Sequence, residues 1–414
     1  MGRHGKTGAV KTNSAKQIAT RLATARKAWD LTQQQLAQRA GVPHSEVRIA
    51  ERTGRVEVST LVSLVGTLGG VLDDLFSGAT FWEAPAIALK SASHEEDPAT
   101  LMQGLAKVST AARDYHALSR FLELPDWWAQ RGAALGPLNV EGSVVAQAEV
   151  LAGRVRKELG NPLNPIPSVR ADMARFGIAT FFTQFASEAV DGATWIAAKA
   201  PPCVVVNARA RGGLVTAARM TFAHELCHAL FDRPRKGDYG HVEVKGARGS
   251  DLEKRANAFA AYFLAPRLAV RRFLGESGLG AGTPPTQQHL LSLSLYFGMG
   301  VEAMAHHLVN CDFWSEATML RNKVQRAPPF ASMDDRELRT TGSDGLIALE
   351  RRGSLLDIAN IALAQKRITT GRWRELLGLS ATSNWRLILE ERDIVLDDEH
   401  YVIPRGEHAA NVSA

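Results

Sequence analysis

Residues 218–231 read ARMTFAHELCHALF, and the middle of the chain is understood by working outward from them. Met220, Phe222, Ala223, Leu226, Ala229 and Leu230 predict a buried, apolar helix. His224 and His228 stand four residues apart, so on a helix both imidazoles leave one face and can reach one ion. Glu225 sits beside them and can accept a proton from a water that such an ion activates. Zinc in a working site takes three protein ligands and keeps a position open. The stretch supplies two, so a third must come from elsewhere.

Glu253 is the best candidate. It lies in DLEKRANAFAAYFLAP (251–266), a second apolar-faced helix, and Asn257 follows one turn later on the same face. An amide there can hydrogen-bond a ligand imidazole and fix its tautomer. Asp251, Glu243 and His241 are rivals, but none has a matched Asn one turn on and an apolar helix behind it. Cys227 points to another side of the helix from His228 and reads as packing. Tyr239 and His241, in KGDYGHVEV (236–244), are within reach as stabilisers of a developing oxyanion, and neither can be singled out.

A helix carrying His-Glu-x-x-His followed by one carrying Glu-x-x-x-Asn resembles the Glu-zincin peptidases. Residues 145–267 together resemble the ImmA/IrrE-type metallopeptidase family, through AEVLAGRVRKEL, VVVN, FAHELCHAL and EKRANAFAAYFLAP in that order. The resemblance implies that His224, His228 and Glu253 bind Zn2+, that Glu225 is the general base, and that the substrate is a specific protein. Arg255 departs from it, standing where an acidic residue is frequent.

Local patterns place the supporting elements. Ser143–Leu159 is an amphipathic helix closed by Gly160, Pro162 and Pro165. Ile178–Phe185 and Val204–Asn207 read as strands, bounded by the turn signals Asp191-Gly192 and Pro201-Pro202. Leu101–Glu123 predicts one or two helices after a polar linker at Ser91–Thr100. Leu124–Gly142 has no clear pattern.

The N-terminal region carries a different signal. Seven Lys or Arg and no acid occur between Met1 and Trp29, a basic arm of the kind found ahead of nucleic-acid-binding units. Thr32 can cap a helix over Gln33–Arg39, Gly41 suits a tight turn, and Pro43 starts a third helix with Val47 and Ala50 inward. Glu57–Leu68 and Leu72–Phe76 add two more. Two short helices about a Gly turn form the unit that enters a major groove, with Gln33, His44, Ser45 and Arg48 facing it and Arg52 and Arg55 near phosphates. The string from Leu31 to Phe76 resembles the XRE-type, phage-repressor-like helix-turn-helix. Pro43 and Ala50 depart from the usual residues there, and neither breaks the helix.

Beyond the peptidase-like region, HLLSLSLYFGMGVEAMAHHLVN (289–310) resembles the small helical unit that follows such a core. His306 and His307 are adjacent, diverge on a helix and read as structural. Residues 368–404 alternate helix and short strand and vaguely resemble a winged helix-turn-helix.

The expected fold class is multidomain and mostly α, with a small α+β zincin-like core. Its parts are a disordered basic arm (1–14), a five-helix DNA-binding domain (15–80), a helical linker region (81–142), a metallopeptidase domain (143–275), a helical extension (276–330) and a C-terminal helical or winged-helix-like module (331–414). Of 414 residues, 45% are hydrophobic and 22% charged, which excludes bulk disorder and fibrous repeats. Apolar stretches such as Ser59–Leu72 fall short of a membrane helix, and no apolar segment follows the basic start, so neither membrane nor export is expected. Three cysteines make no disulfide framework, which fits a reducing cytoplasm.

The expected function is a DNA-binding, zinc-dependent endopeptidase that regulates transcription by cleaving a repressor or antitoxin. The alternative is a non-proteolytic regulator, or the antitoxin of a toxin–antitoxin pair, whose peptidase-like domain binds a partner. Expected partners are double-stranded operator DNA, a protein substrate or cognate toxin or repressor, and a second copy as homodimer.

Overall fold

The computed structural model of the protein describes residues 15–28, 31–68, 75–76, 86–91, 98–136, 140–185, 190–196, 201–209, 214–232, 251–280, 282–321, 342–392, 394–396 and 402–404. The described residues up to 76 form one unit and those from 86 onward a second.

The first unit contains α1 (Ala15–Ala28), α2 (Gln33–Ala40), α3 (His44–Thr53) and α4 (Val58–Thr67). Thr32 caps α2 reciprocally: its hydroxyl accepts from the Gln35 N–H, and the Gln35 side chain accepts from the Thr32 N–H at 2.8 Å. Gly41 closes the helix at φ +65°, and Pro43 holds the N-cap of α3. Leu22, Leu36, Val47 and Leu64 are completely buried between the helices. Arg26 pairs with Glu51 at 2.5 Å and ties α1 to α3. Of the expected fifth helix, Leu75 and Phe76 are helical, and residues 72–74 lie outside the described residues.

The second unit is built on a four-stranded sheet in the order β1 (Ala86–Ser91), β3 (Val190–Ile196), β4 (Cys203–Asn207) and β2 (Ala179–Thr183). β2 and β4 are parallel, while β3 runs antiparallel to both β4 and β1. Side chains alternate between its faces. Phe182 meets Phe222 on one face, whereas Phe181 meets Tyr115 on the other.

The first face carries the helices that matter for chemistry. It holds α6 (Val144–Glu158) and α7 (Val169–Arg175), which follow α5 (Pro98–Phe121) and the π-helical turn Trp128–Gly132 along the chain. α8 (Val215–Phe231) packs on β3 and β4, and α9 (Asp251–Leu264) packs on α8 and α6. Leu151 and Val155 of α6, Phe222 and Leu226 of α8, and Phe259 and Phe263 of α9 share one core. Burial of this kind contributes about 25 cal/mol per Å² of apolar surface. Arg156 is buried among these helices. Its guanidinium donates to the carbonyls of Phe263 (2.5 Å), Pro162 (3.2 Å) and Asn164, so its charge spans chain turns that the apolar core alone would not fix. α10 (Arg267–Glu276), α11 (Gln287–Phe297), α12 (Val301–Asn310) and α13 (Glu316–Arg321) continue the same layer.

The opposite face is covered by α5 and by α14 (Ser354–Ala364), which is followed by α15 (Thr370–Leu377), α16 (Arg386–Glu390) and the hairpin β5 (Ile394–Leu396) and β6 (Val402–Pro404). Leu118 and Leu122 of α5 share a core with Leu356, Trp373 and Ile388. Ser354 accepts the Thr180 N–H at 2.8 Å. The segments expected as linker region and C-terminal module therefore meet on the back of the four-stranded sheet.

One sequence expectation is corrected. Asp191-Gly192 is no turn; both residues lie inside β3. A Cβ on Gly192 would meet Thr221 Cγ2 at 2.7 Å and the Val205 carbonyl oxygen at 3.1 Å. The glycine is there to let α8 approach the sheet, the second meaning glycine has inside a strand.

Candidate metal centre

α8 presents His224 and His228 four residues apart, and the geometry follows from that spacing. Their Nε2 atoms lie 3.0 Å from each other. Glu253, in the first turn of α9, completes the group: its two carboxylate oxygens stand 3.3 Å from the His224 and His228 Nε2 atoms. A helix N-terminus favours a carboxylate at that place. All three residues are buried, and their ligand atoms lie within 4.8 Å of one another.

The donor chemistry fits a divalent cation. His224 Nδ1 faces Asn257 Oδ1 at 3.0 Å, and His228 Nδ1 faces Asp232 Oδ2 at 2.8 Å. Each Nδ1 therefore carries the proton, and each Nε2 turns a lone pair inward. With both rings neutral, two lone pairs and a carboxylate converge, which is repulsive unless a proton or a cation brings positive charge there. Ligand atoms around tetrahedral zinc, at bonds of about 2.0–2.1 Å, are about 3.3 Å apart, close to what is seen.

The titration of these groups points the same way. Burial alone would lower the pKa of His228, but hydrogen bonds to Asp232 and Glu253, with the Glu225 and Asp232 charges, raise it to about 10. Burial would raise Glu253, yet hydrogen bonds to and charge from His224 and His228 bring it down to about 2. The pocket draws in positive charge, as a proton or as an ion.

Glu225 is completely buried on α8. Thr194 Oγ1 of β3 donates to Glu225 Oε2 at 2.6 Å and also reaches the Glu225 carbonyl at 3.2 Å. Thr194 and Gly192 share a sheet face with Val204 and Val206, their register partners on β4, so two successive same-face positions of β3 border this carboxylate. A Cβ on Gly192 would come within 3.4 Å of Glu225 Oε1.

Two residues at the site escaped sequence reasoning. Asp232 repeats the i, i+4 spacing of the histidine pair and stands at the C-cap of α8, where a negative charge opposes the helix dipole. That misfit was its signal. Arg255 pairs with Asp232 from α9, so the basic residue that departs from the family pattern anchors the partner of His228. Thr194 arrives from a strand the sequence did not mark. Cys227 is completely buried in the core, as expected, and burial holds its thiol pKa well up. Of the other ligand candidates, Asp251 is exposed at the start of α9, and Glu243, His241 and Tyr239 lie outside the described residues.

The groove-facing candidates of the first unit are split. His44, Ser45, Arg48, Arg52 and Arg55 are exposed on or just after α3. Gln33 is half-buried, and its amide donates to Glu51 at 2.8 Å.

Residues 173–309 match the family model of peptidase M78, described as an IrrE N-terminal-like domain. The match covers about a third of the chain and holds β2, β3, β4, both ligand helices and α12, but neither α6 nor the first unit. The match makes this segment similar to a metallopeptidase domain, and the matched family implies a metal at a group such as the buried His224, His228 and Glu253. No match was found among curated proteins or solved structures.

Proposed function

We propose that the chain is a zinc-dependent endopeptidase, tethered to operator DNA by its first unit, that controls transcription by cutting one specific protein such as a repressor or antitoxin. The observation that carries this reading is the convergence of His224, His228 and Glu253 beside the buried carboxylate of Glu225. A domain that merely contacts a partner has no physical need for that fourth group.

Zinc held there would supply Lewis acidity, drawing electrons from a carbonyl oxygen and making a water acidic at neutral pH. The chain's own residues do the rest. Thr194 fixes the Glu225 carboxylate by donating to Oε2. Glu225 accepts a proton from the water as its oxygen bonds to the scissile carbon, then passes that proton to the departing amine nitrogen as the C–N bond breaks. Asn257 and Asp232 hold the imidazoles in the tautomer that ligation requires.

The test is Glu225→Gln, assayed on candidate partners encoded beside the gene and co-expressed with the chain. The variant is expected to keep one zinc per chain and to lose cleavage by at least about 100-fold, the ordinary contribution of general base catalysis. If the partner's fate is the same with either residue, the peptidase reading is wrong.

The DNA reading is supported by the capped α2, the Gly41 turn and the exposed cationic side chains of α3. Arg48→Ala should weaken operator binding by about 1–3 kcal/mol if Arg48 reads a base edge. Unchanged retardation in a gel would reject that contact.

A further inference from the structure

We infer that residues 86–91 are an internal occupant of the edge on which a protein substrate would lie, and that such a substrate must displace them. The inference rests on the peptidase reading.

β3 has two edges. One is paired with β4, from Gly192 opposite Val206 to Trp195 opposite Cys203. The other is covered by β1, antiparallel, with Ala86 opposite Ile196, Ala88 opposite Thr194 and Lys90 opposite Gly192. Thr194 is the residue that holds Glu225, and Gly192 is the one that lets α8 approach. The ladder between β1 and β3 therefore runs past the proposed general base. An extended peptide is taken up by a sheet edge through main-chain hydrogen bonds, which tolerate varied sequence. A segment of the chain already makes those bonds.

The origin of β1 supports this assignment. The family-matched segment begins at residue 173 and contains β2, β3 and β4, which alone would leave β3 at the margin of the sheet. A bare edge is a template for pairing with another chain. β1 comes from well upstream of that segment and is the first described element after the helix-turn-helix unit. Its pairing ends in a register shift between Lys90 and Ser91. A six-residue edge strand held by a single ladder is a candidate for local opening without wider unfolding. An event at the first unit has a covalent route to this strand, because the strand is the next element along the backbone.

The experiment uses the full chain and a fluorescein-labelled peptide of residues 84–93, APAIALKSAS. In the double variant Ala88→Pro with Leu89→Pro, one of two successive amides must lose a ladder bond, since they point to opposite sides. With zinc content and circular dichroism unchanged, the variant is expected to bind the peptide at least about tenfold more tightly than the unmodified chain, because the competing segment no longer reduces the open fraction. Equal affinities, or no binding by the variant, overturn the inference. Should the variant misfold, hydrogen exchange on the unmodified chain decides: saturating peptide should remove protection from 86–91 while 190–196 stay protected. Protection of 86–91 that survives bound peptide overturns it equally. Binding needs no hydrolysis, so a variant that binds the peptide but cuts no partner would sink the peptidase reading and leave the occupant standing.

Discussion

Two buried histidines of one core have opposite fates. His228 is 3% exposed and His307 0%, yet the first has its pKa raised to about 10 and the second lowered to about 4. For both, burial is the largest influence and pushes downward. The difference lies in their partners. His307 gives its Nε2 proton to the Ala265 carbonyl at 2.6 Å and stacks edge-on against Tyr262, so a neutral ring suffices. His228 is surrounded by Asp232, Glu253 and Glu225, and a neutral ring leaves that cluster short of positive charge. Burial alone does not identify a ligand; an excess of acceptors over protons does.

The comparison breaks first on metal content. His224→Ala should reduce affinity beyond the roughly 10–100-fold typical of losing a supporting partner, and leave little metal after dialysis. His307→Ala should leave the stoichiometry at one per chain and lower stability instead. If both variants, folded, lose metal alike, the two sites are not distinct in kind.

The next effect is on stability against pH. The folded pKa of His307 lies below the unfolded value, so the unfolded chain binds more protons between about pH 6.5 and 4. The stabilisation is full above pH 6.5 and is lost as the pH falls toward 4, by about 3 kcal/mol. His307→Gln keeps a donor for Ala265 but cannot titrate. Urea unfolding at pH 7 and pH 4.5 should show the unmodified chain losing more stability than this variant; parallel losses would contradict the assignment.

The smallest effect is at Asp232. Asp232→Asn retains an oxygen acceptor for His228 Nδ1 but removes a charge, and should weaken metal binding by about 10–100-fold, or about 1.4–2.8 kcal/mol. Competition with a chelator reads this directly. An unchanged affinity would mean that Asp232 serves Arg255 rather than the ion.

Much of the candidate site could be read in advance because it is local. His224, Glu225 and His228 lie within five residues, and the 3.6-residue period alone puts both imidazoles on one face. Glu253 and Asn257 followed from the same period in a second apolar run, whose helix spans Asp251–Leu264 within the stretch 251–266 read as helical. Ser143 caps its helix, and Thr32 and Gly41 bound theirs, because capping chemistry is written in single residues. What depends on distant partners was hidden. β3 carries the turn-like pair Asp191-Gly192, and only the closeness of Thr221 explains the glycine. β1 pairs with residues about a hundred positions later, and nothing in its own six letters names that partner. The back of the sheet was invisible for the same reason: Leu118 gives no sign that Trp373 will share its core.

That shared core bears on how the protein can be handled. A laboratory wishing to trim the chain to a minimal hydrolase would cut near the limits of the family match, discarding α5, α14 and α15. The cut would bare Phe181, which meets Tyr115, and leave Thr180 without its hydroxyl acceptor on Ser354. Such an uncovered apolar surface invites aggregation, so the shortest useful fragment extends on both sides well past the residues that do chemistry.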